Sequence, residues 1–187
     1  MYCGSSTGAE PAFSQAAVAL GEVIAGRGLR LVYGGGKVGL MGIIADTVLE
    51  AGGEVTGVIT EALVLKEVAH ASVELEVVRT MHERKAAMAD RADAFVMLPG
   101  GFGTLDEFFE ALTWTQLGVH EKPCGILDVD GYFEHLLRFL DTTVANRFVH
   151  PDHAAMVVAE SDPNRLLDRL SEWQPPPVEK WLDRPNR

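Results

Sequence analysis

Basic side chains are scarce in this sequence. Its 16 lysines and arginines stand against 27 aspartates and glutamates, which gives a formal net charge of −11 at pH 7. Nucleic-acid backbones and anionic membranes are bound by basic surfaces, because their negative charges must be neutralised. We therefore expect neither nucleic acid nor membrane among the partners of this protein. A phosphate group in a ligand must be held by local geometry instead.

Long hydrophobic runs are also lacking. No apolar stretch approaches the roughly 18 residues that a membrane span needs, and the N-terminus lacks the basic and then apolar pattern of a signal peptide. Cysteine is nearly absent, and Cys3 and Cys124 each lie in or beside an apolar, strand-like run. A thiol in such a run is usually a small buried hydrophobe. We therefore predict no disulfide and a cytoplasmic protein.

What the sequence does contain is an alternation of strand-like and helix-like patterns. The 187 residues, 47% of them hydrophobic, suffice for a single domain that encloses a site. The alternation predicts an α/β, Rossmann-like fold, a doubly wound parallel sheet with helices on both faces. We predict strands at 30–33, 54–60, 73–78, 94–98, 124–127 and 156–158, and helices at 11–27, 40–51, 81–92, 104–117, 132–146 and from 163 onward.

The two ends of the chain carry separate expectations. A first strand ends at Cys3, which makes it shorter than the five or six residues usual for a central strand, so we expect the natural chain to start upstream of Met1. At the other end, prolines at 175–177 indicate an extended arm. We predict one domain over 1–172 and a C-terminal tail over 173–187.

The most informative segment is PGGFGTLDE at 99–107, which joins the predicted strand 94–98 to a predicted helix. Gly100, Gly101 and Gly103 can adopt positive φ values that direct successive backbone N–H groups toward one point. A helix that begins near Thr104 would add its free N–H groups and its dipole. The segment therefore predicts a phosphate-binding turn.

The same residues have a plainer interpretation. Thr104 and Glu107 have the spacing of a capping box, in which each side chain satisfies a free N–H group at the start of the helix. In that first turn, the charges of Asp106 and Glu107 would also oppose a bound phosphate. If a phosphate binds here, we expect Glu107 to contact another part of the ligand.

A second glycine-rich turn, YGGGKVGLMG at 33–42, also follows a short apolar run and precedes a helical pattern. Two such turns are difficult to explain by capping alone, and both would lie at the carboxyl ends of strands, where ligands bind in this architecture. Gly34, Gly36 and Gly39 also match G-x-G-x-x-G, with Glu61 as a loosely placed ribose ligand, so an NAD(P)-type dinucleotide-binding oxidoreductase is an alternative. That alternative leaves the turn at 99–107 unexplained.

Histidine raises the question of a metal site, chiefly at His150 and His153. Proline at 151 is expected to prevent a regular helix through this spacing, and the sequence offers no third ligand nearby. We therefore predict no metal and no cofactor.

Several segments together carry a resemblance that covers nearly the whole chain. They are CGSS at 3–6, YGGGKVGLMG at 33–42, MHERK at 81–85, PGGFGTLDE at 99–107 and TWTQLGVHEKP at 113–123. With these motifs the chain resembles the Lonely Guy family of cytokinin riboside 5′-monophosphate phosphoribohydrolases. Members of that family often carry the label "lysine decarboxylase", which has little support here, because the chain resembles no pyridoxal-phosphate enzyme in size or motif.

The resemblance implies hydrolysis of an N-glycosidic bond that releases an N6-substituted adenine and ribose 5-phosphate, with AMP as a further candidate substrate. Such a reaction develops positive charge on the ribose, which a carboxylate can stabilise. By match to the family motif, the catalytic residues are Glu107 and Arg84. The fixed charge of Arg84 can orient the ligand or oppose negative charge on the departing base.

The resemblance also implies a set of substrate contacts. Met81 is expected to pack on the base, or else to be a core methionine, and Arg84 and Lys85 could instead be an exposed, solvated helix face that tolerates alanine. Glu67 is matched only through a one-residue gap. The full set of implied substrate-binding residues is Ser5, Gly35, Gly36, Glu67, Met81, Arg84, Lys85, Gly100, Gly101, Gly103, Thr104, Glu107 and Thr113.

Two further expectations concern assembly and an alternative role. The resemblance implies a homodimer in contact through the helix 104–117, which carries Phe108, Phe109 and Trp114, although these aromatic residues could simply be core. Related folds bind nucleotides or molybdenum cofactor without catalysis, so a binding protein is the second alternative. The presence of both Arg84 and Glu107 weighs against it.

Overall fold

The computed structural model describes residues 1–66 and 69–176, and strands and helices alternate along them. The strands are β1 (Arg30–Tyr33), β2 (Glu54–Thr60), β3 (Glu74–Val78), β4 (Phe95–Met97), β5 (Cys124–Leu127) and β6 (Val157–Glu160). The helices are α1 (Pro11–Gly26), α2 (Gly39–Glu50), α3 (Glu61–Val64), α4 (Met81–Arg91), α5 (Phe102–Gln116), α6 (Glu134–Ala145), α7 (Pro151–Ala154) and α8 (Pro163–Glu172).

The strands pair in parallel in two groups, ordered β1-β2-β3 and β4-β5-β6. Residues 1–3 lie between the two groups. The Met1 amino group donates a hydrogen bond to the Val32 carbonyl at 2.8 Å, the Tyr2 N–H donates to the Val96 carbonyl at 2.9 Å, and Tyr2 makes a parallel bridge to Met97. The strand order runs outward from this segment in both directions, so the predicted doubly wound arrangement is confirmed.

Successive strand residues point to opposite faces of the sheet, and helices cover both faces. Leu31 and Tyr33 of β1 belong to the apolar core that includes α1, α2 and α8, whereas Val32 between them belongs to the core that includes α4 and α5. In β4, Phe95 and Met97 face this second core. The single α/β domain therefore has one core on each side of the sheet.

Most of the predicted helix boundaries hold within two residues. Pro11 occupies the first turn of α1, and Gly28, with φ +65°, follows its end. The short helices α3 and α7 were not predicted. The expectation that proline would prevent a helix after His150 is wrong, because Pro151 lies in the first turn of α7, where the missing N–H has no structural cost.

At the C-terminal end, α8 is followed by Trp173, which packs against the core of α1, α2 and α8. Residues 177–187 of the predicted tail lie outside the described residues, so the boundary between domain and tail stays a prediction. Within 1–66 and 69–176, no helix combines the length and the apolar character that crossing a bilayer requires.

Candidate active site

Three loops converge at the carboxyl edge of the sheet. The Gly4 N–H donates to the Pro99 carbonyl at 3.0 Å, and the Leu40 N–H donates to the Gly4 carbonyl at 3.1 Å. These bonds join the loop after residues 1–3, the turn after β1 and the turn after β4. The convergence point is where the strand order reverses, which is the usual ligand position in a doubly wound sheet.

A cleft of about 330 Å³ opens at this point. Its lining includes Ser5, the turn at 99–101, and the rings of Phe13 and Tyr132, which meet edge to face with centroids 5.4 Å apart. The Tyr132 hydroxyl donates to the Gly100 carbonyl at 2.7 Å and so braces the turn. Tyr132 was not predicted as a site residue, although its place in the loop after β5, again at a carboxyl strand end, could have indicated it.

The backbone conformation of the glycines at 99–103 differs from the prediction. Positive φ values occur at Gly35 (+73°) and Gly39 (+60°) in the first glycine turn and not at Gly100, Gly101 or Gly103. Gly101 has φ −100° and is the N-cap of α5, which begins at Phe102 rather than near Thr104, so Gly103 is helical. The prediction of positive φ in this turn is therefore wrong.

Close packing explains Gly100, and at Gly39 it is a second reason for glycine besides the positive φ. A methyl group at position 100 would collide with the Thr104 hydroxyl and lie 2.9 Å from the Gly4 nitrogen, and one at position 39 would collide with the Ser5 backbone. Each distance is shorter than carbon atoms tolerate. Glycine at these two positions lets the three loops approach one another.

The first turn of α5 presents free backbone N–H groups. Its first intrahelical bond runs from the Leu105 N–H to the Gly101 carbonyl at 3.1 Å, so the N–H groups of Phe102, Gly103 and Thr104 precede the helical hydrogen-bond ladder. Within the described residues, no side chain caps this helix. A methyl group at Gly101 or Gly103 would meet no atom within 4 Å outside the adjoining residues and backbone of its own helix. The turn is thus open to a ligand on that side.

The alternative interpretation, a capping box formed by Thr104 and Glu107, is wrong. Thr104 is the third helical residue, and Glu107 lies in the second turn, so neither has cap geometry. A capping box does exist at the start of α4, where the Thr80 hydroxyl accepts from the Glu83 N–H at 3.1 Å and the Glu83 carboxylate accepts from the Thr80 N–H at 3.2 Å. Glu107 is consequently available for another contact.

That contact is an ion pair with Arg84. The Arg84 Nη1 donates to the Glu107 Oε1 in a short hydrogen bond, and the Arg84 Nε donates to the Val58 carbonyl at 2.9 Å. The side chains of Arg84 and Glu107 are 7% and 14% exposed. The expectation that Arg84 belongs to an exposed helix face is therefore wrong, because its guanidinium lies between α4, β2 and α5.

Gly34 makes room for this guanidinium. A methyl group at position 34 would collide with the Arg84 Nη2. The first glycine turn thus leaves room for the ion pair, because Gly34 has no side chain. This role was not predicted. The Met81 sulfur lies 3.3 Å from the Arg84 Nη1, and Met81 is 43% exposed, so it is not a core methionine.

The other predicted contacts lie at several places in the structure. Gly35 and Gly36 are buried at the base of the turn after β1, and Lys85 lies beside Arg84 but faces carboxylates of α5. Thr113 lies six residues beyond Glu107 on α5, a rise of about 9 Å, and donates to the Phe109 carbonyl. The structure therefore does not bring Thr113 to the ion pair. Glu67 lies outside the described residues.

A buried histidine fastens the first glycine turn. The His70 N–H donates to the Gly35 carbonyl at 2.9 Å, and the His70 Nε2 lies 2.9 Å from the Asp46 Oδ1. The Ser72 N–H donates to the His70 Nδ1 at 3.2 Å, which fixes the tautomer with the proton on Nε2. His70 was not predicted, because these partners are distant in sequence.

The histidines considered as metal ligands have other contacts. The His150 side chain accepts from the Asp152 N–H at the start of α7, and His153 is buried with its ring centroid 5.9 Å from that of His150. Within 1–66 and 69–176, no group of three or more histidine, cysteine, aspartate or glutamate residues could hold a metal ion.

The aromatic residues of α5 are largely core. Phe108 is fully buried, and Phe109 and Trp114 are half-buried and pack against the same core. Phe108 therefore cannot form part of a contact surface. The exposed apolar side chain of this helix is Phe102, at 93%.

Comparison with known proteins places these features in a family. The family model described as "Possible lysine decarboxylase" matches residues 41–170. The probable cytokinin riboside 5′-monophosphate phosphoribohydrolases LOGL9 and LOGL1 of Oryza sativa subsp. japonica are 49% and 47% identical to this chain, over 94% and 92% of it and 78% of their own lengths. The cytokinin riboside 5′-monophosphate phosphoribohydrolase LOG7 of Arabidopsis thaliana is 44% identical over 94% of the chain and 81% of its own length.

Solved structures with the same fold are more distant in sequence. The molybdenum cofactor binding protein of Rippkaea orientalis has a TM-score of 0.68 at 22% identity, over 91% of this chain and 93% of its own. The Moco carrier protein of Chlamydomonas reinhardtii has a TM-score of 0.66 at 21% identity, over 91% and 92%. At this level of identity the likeness shows the fold alone.

Proposed function

Since the chain belongs to the Lonely Guy family of cytokinin riboside 5′-monophosphate phosphoribohydrolases, we propose that it hydrolyses the N-glycosidic bond of N6-substituted adenosine 5′-monophosphates. Water supplies the new hydroxyl at the ribose, and the products are the free base and ribose 5-phosphate. The observation that carries the proposal is the buried Arg84–Glu107 pair, one helical turn from the open N-terminus of α5.

The 5′-phosphate binds at the start of α5. The N–H groups of Phe102, Gly103 and Thr104 are available there, and the helix dipole favours an anion. The space beside Gly101 and Gly103 supports this placement, because any side chain at those positions would occupy it. A protein of net charge −11 can hold a phosphate in this way without a basic patch.

Glu107 acts at the sugar. It lies in the second turn of α5, so a phosphate at the first turn places the ribose within reach of its carboxylate. As the bond to the base breaks, the ribose gains oxocarbenium character, and the carboxylate stabilises that charge, holds a ribose hydroxyl or accepts a proton from the attacking water.

Arg84 orients Glu107 and contributes a fixed positive charge. Its Nε bond to the Val58 carbonyl and the close approach of Gly34 hold the guanidinium in one position. From there it keeps the carboxylate in one orientation and opposes negative charge on the departing base. Met81 is 43% exposed beside the guanidinium, which leaves its side chain free to pack against the base in this proposal.

We also propose a cytoplasmic homodimer. The two thiols are free and buried, as is usual in a reducing compartment. Exposed apolar side chains at Phe102, Leu117 and Val119, at both ends of α5, suit a contact surface better than the buried Phe108 does. Light scattering on the purified protein measures the mass, and a monomer at micromolar concentration would contradict the dimer.

The dinucleotide alternative has lost its main support. The glycines that matched G-x-G-x-x-G serve the protein itself, since Gly34 faces the Arg84 side chain, Gly36 bridges to Ala69 and Gly39 packs on Ser5. In a dinucleotide fingerprint the second glycine lets the backbone approach the pyrophosphate, and here that glycine, Gly36, bridges to Ala69.

The deciding experiment incubates the purified protein with isopentenyladenosine 5′-monophosphate and, separately, with AMP, and follows free base by chromatography. Release of isopentenyladenine together with ribose 5-phosphate supports the proposal. If neither nucleotide releases base while either binds, the protein is a binding module and the proposed hydrolysis is wrong. The ratio of the two rates measures the preference for an N6 substituent.

A further inference from the structure

A second set of ion pairs lies directly beside the proposed catalytic pair. Lys85 follows Arg84 on α4, and Asp106 precedes Glu107 on α5. The Lys85 Nζ lies 3.1 Å from the Asp106 Oδ2 and 3.0 Å from the Glu110 Oε2. Two adjacent residues of one helix thus bind carboxylates on successive turns of the other.

Because Lys85 is largely buried, its ion pairs must replace the water that would otherwise solvate its ammonium group. Its side chain is only 11% exposed, and removing an ammonium group from water is costly unless partners replace the water. Glu110 is 27% exposed and Asp106 is 63% exposed, so Glu110 is the better-shielded partner. Burial lowers the pKa of Lys85, but the hydrogen bonds to Glu110 and Asp106 outweigh it and leave the pKa raised.

Helices α4 and α5 share an apolar core, which includes Met88 and Ala89 of α4 and Phe108 and Ala111 of α5. Toward their N-terminal ends, the two helices are also joined by the Arg84–Glu107 pair and by the pairs of Lys85. A change in the Lys85 contacts therefore acts on the part of the α4–α5 contact where Arg84 and Glu107 lie.

We propose that Lys85, Glu110 and Asp106 form a clamp between α4 and α5, in which Lys85 is a positioning residue that sets the geometry of Arg84 and Glu107. The inference rests on the proposed function. It assigns Lys85 a role different from the nucleotide contact that the family resemblance implies, since its ammonium group is directed to α5 by two carboxylates.

The test is a double-mutant cycle on Lys85→Met and Glu110→Gln, with kcat and KM measured on isopentenyladenosine 5′-monophosphate. Each single variant is expected to lower kcat by about 10- to 100-fold with little change in KM, as misplacement of catalytic groups by about 1 Å does. The kcat of the double variant should be no lower than that of the less active single variant, because both substitutions remove the same contact. Lys85→Arg should retain most of the activity, and Asp106→Asn should have the smaller effect.

The matched control is Arg138→Met, which breaks an exposed ion pair with Glu134 on α6. It is expected to behave as the natural protein. Circular dichroism and thermal unfolding of every variant distinguish a protein that is misfolded from one whose catalytic residues are misaligned. If Lys85→Met does not fold, the test uses the single variant Glu110→Gln and the double variant that combines Asp106→Asn with Glu110→Gln.

The outcomes distinguish the two proposals. If the natural protein releases no base, the proposed function fails, and the clamp is then judged by coupling between Lys85→Met and Glu110→Gln in thermal unfolding. If the natural protein is active but Lys85→Met raises only KM and Glu110→Gln has no effect, Lys85 is a nucleotide contact and the clamp is wrong. Additive effects of the two substitutions on kcat would also overturn it.

Discussion

At the scale of single residues, Glu107 is proposed to act on the substrate and also pairs with Arg84, and one substitution tests both roles. Glu107→Gln keeps the shape of the side chain but removes its charge, so we expect loss of base release by about 100- to 10,000-fold, the usual contribution of a positioned acid or base. Since Arg84 then has a neutral partner in a nearly buried position, the melting temperature should fall as well, while circular dichroism stays that of a folded protein.

Glu134→Gln is the matched control, because Glu134 pairs with Arg138 on the exposed surface of α6. It should leave both rate and stability unchanged. Full activity of Glu107→Gln would exclude this carboxylate from the chemistry and would reduce the Arg84 pair to a structural contact.

Arg84 is the residue at which sequence and structure differ most. Without the family motif, the sequence of α4 favours an exposed helix position that tolerates alanine, but the guanidinium is buried against the Val58 carbonyl and Glu107. Arg84→Ala should therefore abolish turnover and also lower the free energy of unfolding by about 3–5 kcal/mol, the cost of leaving one partner of a buried pair uncompensated. Denaturant unfolding measures this, with the exposed Arg138→Ala as a control expected within about 0.5 kcal/mol of the natural protein.

At the scale of elements, the sequence predicted the edge of the sheet at which the glycine turns lie, but not the backbone conformation of the turn at 99–103. Apolar runs followed by glycines fix where strands end, so both glycine turns were predicted at the right edge of the sheet. The start of α5 was missed by two residues, because Phe102 and Gly103 give no capping signal and the helix begins without a side-chain cap. The burial of Arg84 depends on Val58 and Gly34, which are remote in sequence, so no local pattern could reveal it.

The glycines at the start of α5 can be tested one against another. Gly103 is helical and its side-chain space is empty, so Gly103→Ala should fold and gain up to about 1 kcal/mol in helix stability. If the 5′-phosphate occupies that space, the same change raises KM. Gly100→Ala should instead destabilise the fold, because the added methyl collides with Thr104.

Thermal unfolding and steady-state kinetics on both variants provide the comparison. A Gly103→Ala protein with unchanged KM would place the phosphate elsewhere. A Gly100→Ala protein as stable as the natural one would show that the turn adjusts and that Gly100 is not needed for packing.

At the scale of the whole molecule, we expect two buried thiols to lower the free energy of unfolding at high pH. Burial raises the pKa of Cys3 and of Cys124 to about 12, against an ordinary value of 9.0. Between those values the unfolded chain loses protons that the folded protein keeps, so stability is complete below about pH 9 and falls as pH rises, by up to about 1.4 kcal/mol per pH unit for each thiol. Thermal unfolding from pH 8 to 11 measures the slope, and the double Cys→Ser variant should reduce it.

Thiol titration gives an independent check of the same two residues. Denatured, unreduced protein should react at both cysteines, and native protein at neither within the time of the assay, since both thiols are buried. A disulfide in the denatured, unreduced protein would contradict the cytoplasmic proposal.

The overall arrangement, a net acidic protein with the open N-terminus of α5 at its cleft, predicts that the 5′-phosphate is required for efficient turnover. Phosphate binding at α5 positions the ribose near Glu107, and this remote binding energy is used at the reacting bond. The nucleoside isopentenyladenosine should therefore react with a kcat/KM orders of magnitude below that of its 5′-monophosphate. The two substrates are compared by chromatography of the free base, each with and without EDTA. Equal rates for the two substrates would exclude a phosphate site at 99–107. Loss of activity with EDTA would indicate a metal ion, with His150 and His153 as the candidate ligands.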